Sequence, residues 1–315
     1  MSGWSERLKR EAGVPDLVEV LTGRLAPSDL QSLLLEVYAR LASKVQPAQL
    51  LQQHEQNRFL APSPADARLL AEVDRAAWEL LPDGYLPLEL SPLCPLGTNS
   101  AIATVSQNKV VSTTRNTEAV ADSTNVLALE SAARRRRQLR SKGAQAPVLL
   151  AASQRVTRAQ VFRGTRSWAH FRLLSLCAAG RDAGTFRFES SQLVEQIAFQ
   201  VRLLQELARF GRVYSSIRVA ITDFTSGRLR EALEANVLAP LSARFLDVRV
   251  HVDSERTSGR GYYDAACFKL FAREPSGEEI ELGDGGTVDW TAKLLSDRKE
   301  RLIISGLGVE RICTR

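Results

Sequence analysis

The pairing of apolar runs after Pro147 constrains the fold of this chain more than any other feature. "PVLLAASQRVTRAQVF" and "HFRLLSLCAAG" are strand-like runs joined by a short basic link, "RGTRSW", which contains Gly164. "YYDAACFKLFAREPSGEEIELG" repeats the arrangement around Pro275-Ser276-Gly277. Strands joined by so short a link pair antiparallel, because a parallel pair needs a crossover of about a dozen residues or more. Helices come in blocks between the hairpins. "SSQLVEQIAFQVRLLQELARFG" puts Leu193, Ile197, Val201, Leu204 and Ala208 on one face and stops at Gly211. "SIRVAIT" reads as a strand and "SGRLREALEANVLAPL" as a helix. "FLDVRVHV" alternates, with Leu246, Val248, Val250 and Val252 on one side. "GDGGTVDW", a short helix and a run through Leu302-Ile303-Ile304 close the pattern. The expected fold class is α+β: a mainly antiparallel sheet flanked by helices, not a doubly wound one.

The first 60 residues read as helical instead. "DLQSLLLEVYARLAS" spaces Leu30, Leu33, Leu34, Val37 and Leu41 at helical intervals. After the break "LAPSPAD", Ser63 reads as an N-cap, with Pro64 at the first helical position and Asp66 three residues beyond the cap. The helix that follows carries Leu69, Leu70, Val73, Ala77 and Leu80. The expected division is an N-terminal helical segment, 1–70, and a larger core, 71–315, within a chain of 315 residues. A further long helix starts after Asp122 or Ser123, either of which is a natural cap.

Composition narrows the function classes. Hydrophobic residues make up 44% and charged residues 25%, the balance of a soluble globular protein. No apolar run approaches a membrane span, and "MSGWSERLKR" has no signal-peptide core, so a cytoplasmic protein without a membrane partner is expected. Cys94, Cys177, Cys267 and Cys313 are scattered with no Cys-x-x-Cys pair, and histidine occurs only at positions 54, 170 and 251. No metal site is therefore expected from protein ligands. The net charge of +6 favours an anionic partner without naming one. "RRRRQLRSKG" gathers Arg134, Arg135, Arg136, Arg137, Arg140 and Lys142. It reads either as a solvated helix end that suits the helix dipole or as a nucleic-acid patch through Arg134–Arg137; the lack of interleaved aromatics favours the first.

The chain has no phosphate loop of the Walker type, no Gly-x-Gly-x-x-Gly after a strand and no nucleophile elbow. Two other features stand out. Arg155 and Arg158 lie three apart in an apolar strand, so they face opposite sides and at most one faces a given site. A cation on an apolar strand needs an anion to meet it, unless it lies on the exposed face. "ISGLGVERI" brings Glu310 and Arg311 out of a glycine turn, as a phosphate-facing pair or as a helix start. Phe171, beside His170, either stacks on a flat ring or packs in the core.

In this order the pieces resemble the catalytic core of class II aminoacyl-tRNA synthetases, most closely the histidyl-tRNA synthetase type, which includes the regulatory paralogue that partners ATP phosphoribosyltransferase. The resemblance covers residues 75–312. "GYLPLELSP" resembles the family's first motif, at the dimer interface. "VADSTNVLALESA" resembles the Arg-Pro-acid-x-Thr segment, with Asp122 and Thr124 on the acid and threonine and Val120-Ala121 in place of Arg-Pro. "QRVTR" resembles the second motif, Phe-Arg-x-Glu-Arg: Arg155 falls on the arginine that meets the α-phosphate, Arg158 on the second arginine, Thr157 on the adenine-reading glutamate. Phe171 falls on the aromatic that stacks on adenine. "GRGYYDAACFKLF" resembles the histidyl Arg-Gly-Leu-Asp-Tyr-Tyr segment, with Tyr262 and Tyr263 on the tyrosine pair and Arg260-Gly261 aligned only across a deletion. "GDGGTVDW" keeps Gly285, Gly286 and Asp289 of the glycine-rich strand, and Arg311 falls on the third-motif arginine that meets the γ-phosphate.

The resemblance implies an ATP-dependent, adenylate-forming ligase acting on an amino acid or other small carboxylate, with ATP and Mg²⁺ as cofactors. Arg155 and Arg311 would be catalytic. Arg155, Arg158, Phe171, Glu310 and Arg311 would hold ATP, and Asp122, Thr124, Tyr262 and Tyr263 the substrate. Leu173 and Cys177 stand where the histidyl family reads its substrate with polar side chains, so a smaller or more apolar substrate than histidine is expected. No anticodon-binding domain and no further helix follow the third motif, and ordinary tRNA charging is not expected. The alternative is a catalytically silent regulatory or binding subunit. A homodimer is implied in both cases, with a partner enzyme or carrier.

Overall fold

The computed structural model describes residues 3–14, 16–141, 146–160 and 166–314. Gly164 and Lys142, both singled out in the sequence, lie outside the described residues. The chain divides into two compact units, one of residues 1–61 and 112–117, the other of residues 62–111 and 118–315.

The first unit is helical: α1 (Gly3–Ala12), the short α2 (Leu17–Glu19), α3 (Pro27–Ala42) and α4 (Pro47–Gln56). Proline opens both α3 and α4, where its missing N–H costs nothing. The helical spacing holds across α3, yet α2, α3 and α4 bury no side chain, and Leu33, Val37 and Leu41 are exposed. The Gln31 side chain ties the 112–117 loop to α3: its oxygen accepts from the Arg115 N–H (2.5 Å), and its amide donates to Asn116 (2.8 Å).

The second unit is built on eight strands: β1 (Leu86–Pro87), β4 (Val148–Thr157), β5 (His170–Arg181), β6 (Ser216–Asp223), β7 (Val248–Val252), β8 (Ala266–Arg273), β9 (Glu279–Val288) and β10 (Glu300–Gly308). They lie in the order β1-β4-β5-β10-β9-β8-β6-β7, and β2 (Leu93–Pro95) and β3 (Thr117–Ala119) form a separate pair. Only the outer pairs β1–β4 and β6–β7 are parallel; every inner pair is antiparallel. The fold is the expected α+β arrangement. The helices are α5 (Ala67–Glu79), α6 (Thr98–Ala103), α7 (Ser123–Arg140), α8 (Arg187–Glu206), α9 (Arg230–Leu233), α10 (Ala239–Arg244), α11 (Trp290–Leu295) and α12 (Val309–Cys313). No helix among the described residues is long and apolar enough to cross a membrane.

Strand alternation sorts the core into two layers. On one face Ala151 of β4, Leu174, Leu176 and Ala178 of β5 and Ile303 of β10 pack with α5 and α8. On the other, Leu150 and Ala152, Cys177 and Ala179, and Leu302 and Ile304 pack under α7 and Trp290 of α11. The four cysteines are buried free thiols. Burial holds their pKa values up, to about 11 at Cys267 and about 12 at Cys313.

Several local expectations change. Asp66, not Ser63, caps α5, accepting from the Arg68 N–H at 2.8 Å; Ser63 accepts from the Ala65 N–H in the turn before it. Ala208 leaves the apolar face of α8, because the chain tightens to a 3-10 turn over Leu207–Phe210 before Gly211, whose φ of 76° suits glycine. Leu246 lies ahead of the edge strand β7 and is 92% exposed. The basic run is not one solvated patch. Arg135 is fully buried against the carboxylate of Glu300, with both nitrogen–oxygen contacts at 2.8 Å, and Arg134 pairs with Glu130 at 2.7 Å. Burial removes Arg135 from any nucleic-acid surface.

Candidate ligand-binding site

The α7 face carries a cavity of about 200 Å³ over the ends of β4, β5, β9 and β10. Its geometry starts with Asp122, the N-cap of α7, whose Oδ1 accepts from the N–H (2.9 Å) and hydroxyl (2.7 Å) of Thr124. A cap of this kind satisfies orphan helix donors and leaves the other carboxylate oxygen outward. That oxygen meets the Arg158 guanidinium at 3.2 Å. Arg158 also donates to the Ala121 carbonyl (2.9 Å) and lies 5.0 Å from the Phe171 ring centroid, a cation–π contact. Phe171 thus lines the cavity with one side covered by an arginine.

Arg155 is on the other face. Its register partner on β5 is Arg172, which pairs with Asp74 of α5 at 2.7 Å. Arg155 itself meets Glu310 (2.8 Å) and Nδ1 of His170 (3.0 Å). Of the two arginines three apart, Arg158 lines the cavity with Arg311, and Arg155 does not. Glu310 is buried and also accepts from the Ser63 hydroxyl (3.2 Å) and the Arg172 N–H, so it holds α12 against β4, β5 and the segment before α5. Its neighbour Arg311 lines the cavity and donates to the Glu281 carbonyl (2.7 Å) and the Arg166 carbonyl (3.4 Å). Arg166 is itself clamped by both oxygens of Glu274, at 3.0 and 3.1 Å.

Tyr262 and Tyr263 are packed edge to face, 4.9 Å apart, at the back of the cavity. Burial first, then the carboxylates of Asp122 and Asp284, hold the Tyr262 phenol well above its ordinary pKa. Tyr263 donates to Oδ2 of Asp284 at 3.1 Å. Burial, and after it the charge of Glu281, hold the Asp284 carboxyl above its ordinary value. The same tyrosine pair walls a second cavity of about 260 Å³, where Arg260 donates to the Phe224 carbonyl at 3.3 Å. Arg260 does not line the first cavity. Cys177 does not line it either: its thiol is buried and donates to the Thr124 carbonyl at 3.7 Å, whereas Leu173 forms part of the wall.

Glycines open the space. A Cβ on Gly306 would meet only the Leu173 side chain, at 3.1 Å, and one on Gly308 nothing closer than 3.6 Å. Sequence reasoning missed Asp284, Glu281, Arg166 and Trp168. In "GDGGTVDW" it singled out Asp289, which lies five residues from Asp284, beyond the end of β9, and pairs with Lys293 at 2.9 Å. Chemically, the described wall offers carboxylates at Asp122, Glu281, Asp284 and Glu310 and guanidiniums at Arg158, Arg166 and Arg311. No group of three or more His, Cys, Asp or Glu among the described residues is arranged to hold a metal ion.

No family model and no curated protein matches the chain. Solved structures do. An ATP phosphoribosyltransferase regulatory subunit/histidyl-tRNA synthetase from Bacillus halodurans aligns over 81% of this chain and 82% of its own, at 16% identity and a TM-score of 0.58. The apo histidyl-tRNA synthetase of S. aureus aligns over 80% and 68%, at 16% identity and 0.55. A histidine–tRNA ligase subunit from Alicyclobacillus acidocaldarius aligns over 81% and 96%, at 15% identity and 0.54. The chain therefore has the fold of the class II aminoacyl-tRNA synthetase catalytic core, in its histidyl-tRNA synthetase-like form.

Proposed function

We propose that this chain is a histidyl-tRNA synthetase-like paralogue whose cavity binds an amino acid. The observation that carries the reading is the Asp122–Arg158 pair, 3.2 Å apart on the cavity wall and held in place by Thr124 and the Ala121 carbonyl. A zwitterion exchanges with such a pair charge for charge: its ammonium takes Asp122 and its carboxylate takes Arg158. Charge-assisted bonds of this kind are the strong ones. Thr124, Tyr262 and Tyr263 shape the ammonium side. The reading extends to a cytoplasmic homodimer that works with a partner enzyme or carrier; the similar Bacillus halodurans protein is described as a regulatory subunit of ATP phosphoribosyltransferase. Calorimetric titration with a panel of amino acids tests it. Asp122→Asn and Arg158→Ala are each expected to weaken binding about tenfold or more, while Arg155→Ala leaves affinity within about twofold. Equal losses in Arg155→Ala and Arg158→Ala, with the fold intact, would sink the assignment.

Adenylate formation is the second reading, favoured by Arg158 and Arg311 on one cavity. ATP would supply the adenylyl group, pyrophosphate leaving as the bound carboxylate bonds to the α-phosphorus, with Mg²⁺ held through its phosphates. The chain's own part would be to place the bound carboxylate beside Arg158, where a fixed guanidinium stabilises charge that builds on phosphate. ATP–pyrophosphate exchange with the bound amino acid tests this; no exchange leaves the binding subunit.

A further inference from the structure

We infer that the amino acid this cavity takes carries an amine at the end of its side chain, and that Asp284 is the residue that selects it. The inference rests on the amino-acid reading above. The carboxylates on the wall are not equivalent. Asp122 meets Arg158 at 3.2 Å, Glu281 meets the Lys269 ammonium at 2.7 Å, and Glu310 meets Arg155 at 2.8 Å. Asp284 has no cation within 4.0 Å among the described residues. The Tyr263 hydroxyl donates to one of its oxygens at 3.1 Å. An ionised carboxylate accepts at several more positions than that.

Lys269 stands opposite it in the β8–β9 register but gives its ammonium to Glu281, and the Arg256 guanidinium, which donates to the Ser258 carbonyl at 2.9 Å, acts on it only from beyond 4.0 Å. A partly enclosed carboxylate without a countercharge is costly unless something supplies one. Its raised pKa is the same cost seen in protonation. A ligand amine removes it. The same wall offers apolar surface to a methylene chain: Leu173 and Ile304 line it, and Gly306 adds no side chain. Asp122 stands at the start of α7 and Asp284 on β9, with the half-buried Tyr262 under the charge of both. An amino acid that puts one ammonium at each, and a carboxylate at Arg158, meets both acids and the arginine with opposite charge. The apolar residues on β5 made a polar side chain unexpected; the polar group comes from β9 instead.

The test is titration of the full chain with ornithine and lysine against their near-isosteres norvaline and norleucine, with and without ATP and Mg²⁺. The diamino acids are expected to bind roughly ten- to a hundredfold tighter. Asp284→Asn is expected to abolish that preference while leaving norvaline and norleucine unchanged. Equal affinity of each pair in the unmodified chain overturns the inference whatever the variant does, as does a preference that survives in a folded Asp284→Asn. If no amino acid binds at all, the amino-acid reading fails and the inference falls with it. Binding of norvaline alone leaves the reading standing and removes only the role of Asp284.

Discussion

At the level of single residues, the cavity keeps one carboxylate that the fold does not neutralise. The folded pKa of Asp284 lies above its unfolded value of 3.8, so ionising it costs the folded state more than the unfolded one. That cost is present above the folded pKa and disappears as pH falls below 3.8. Asp284→Asn keeps an acceptor for Tyr263 and removes the charge. It is therefore expected to raise Tm by roughly a few degrees at pH 7, a gain that shrinks on acidification, as thermal melts across a pH series would show. A gain independent of pH would contradict the electrostatic cause. The parity of Arg155 and Arg158 was legible in the sequence, since a spacing of three splits a strand's faces; which face holds the cavity was not. That choice depends on α7 packing over Leu150 and Ala152 while α5 takes the side of Ala151.

At the level of elements, α7 and β10 are locked by one buried ion pair. Truncating Arg135 leaves Glu300 buried with, among the described residues, only Arg181, at 3.3 Å, to compensate. Arg135→Ala is expected to cost about 3 kcal/mol in urea unfolding, and the exposed neighbour Arg136→Ala less than about 0.5 kcal/mol. Equal costs would place Arg135 at the surface. Sequence pattern identified α7 as a helix and narrowed its cap to Asp122 or Ser123 from residue chemistry alone; the structure gives the cap to Asp122. It could not pick Arg135 out of four consecutive arginines, because the partner Glu300 is 165 positions away and enters only through the sheet. Ends of elements were hardest for the same reason: Ser63 has good cap chemistry, but Glu310 engages its hydroxyl and Asp66 takes the cap.

At the level of the whole molecule, the antiparallel pairs β4–β5 and β8–β9 follow from the short links between their strands, and they were the most legible part of the fold. The parallel outer pairs were not legible, since β1 and β7 join the sheet through long-range connections. In α3 the amphipathic spacing foretold a helix but not that it would bury no side chain. The four buried thiols have a practical consequence. Only the thiolate reacts with disulfide reagents, and burial both hides these sulfurs and holds them protonated. Cys94 and Cys177, Cys267 and Cys313 are spread over β2, β5, β8 and α12, so each is a separate clock on its own part of the second unit. Labelling by DTNB in the native state is expected to be slow at every site and to accelerate together with unfolding. A single fast site would mark the part of the sheet or of α12 that opens first, with no label needing to be engineered into the chain.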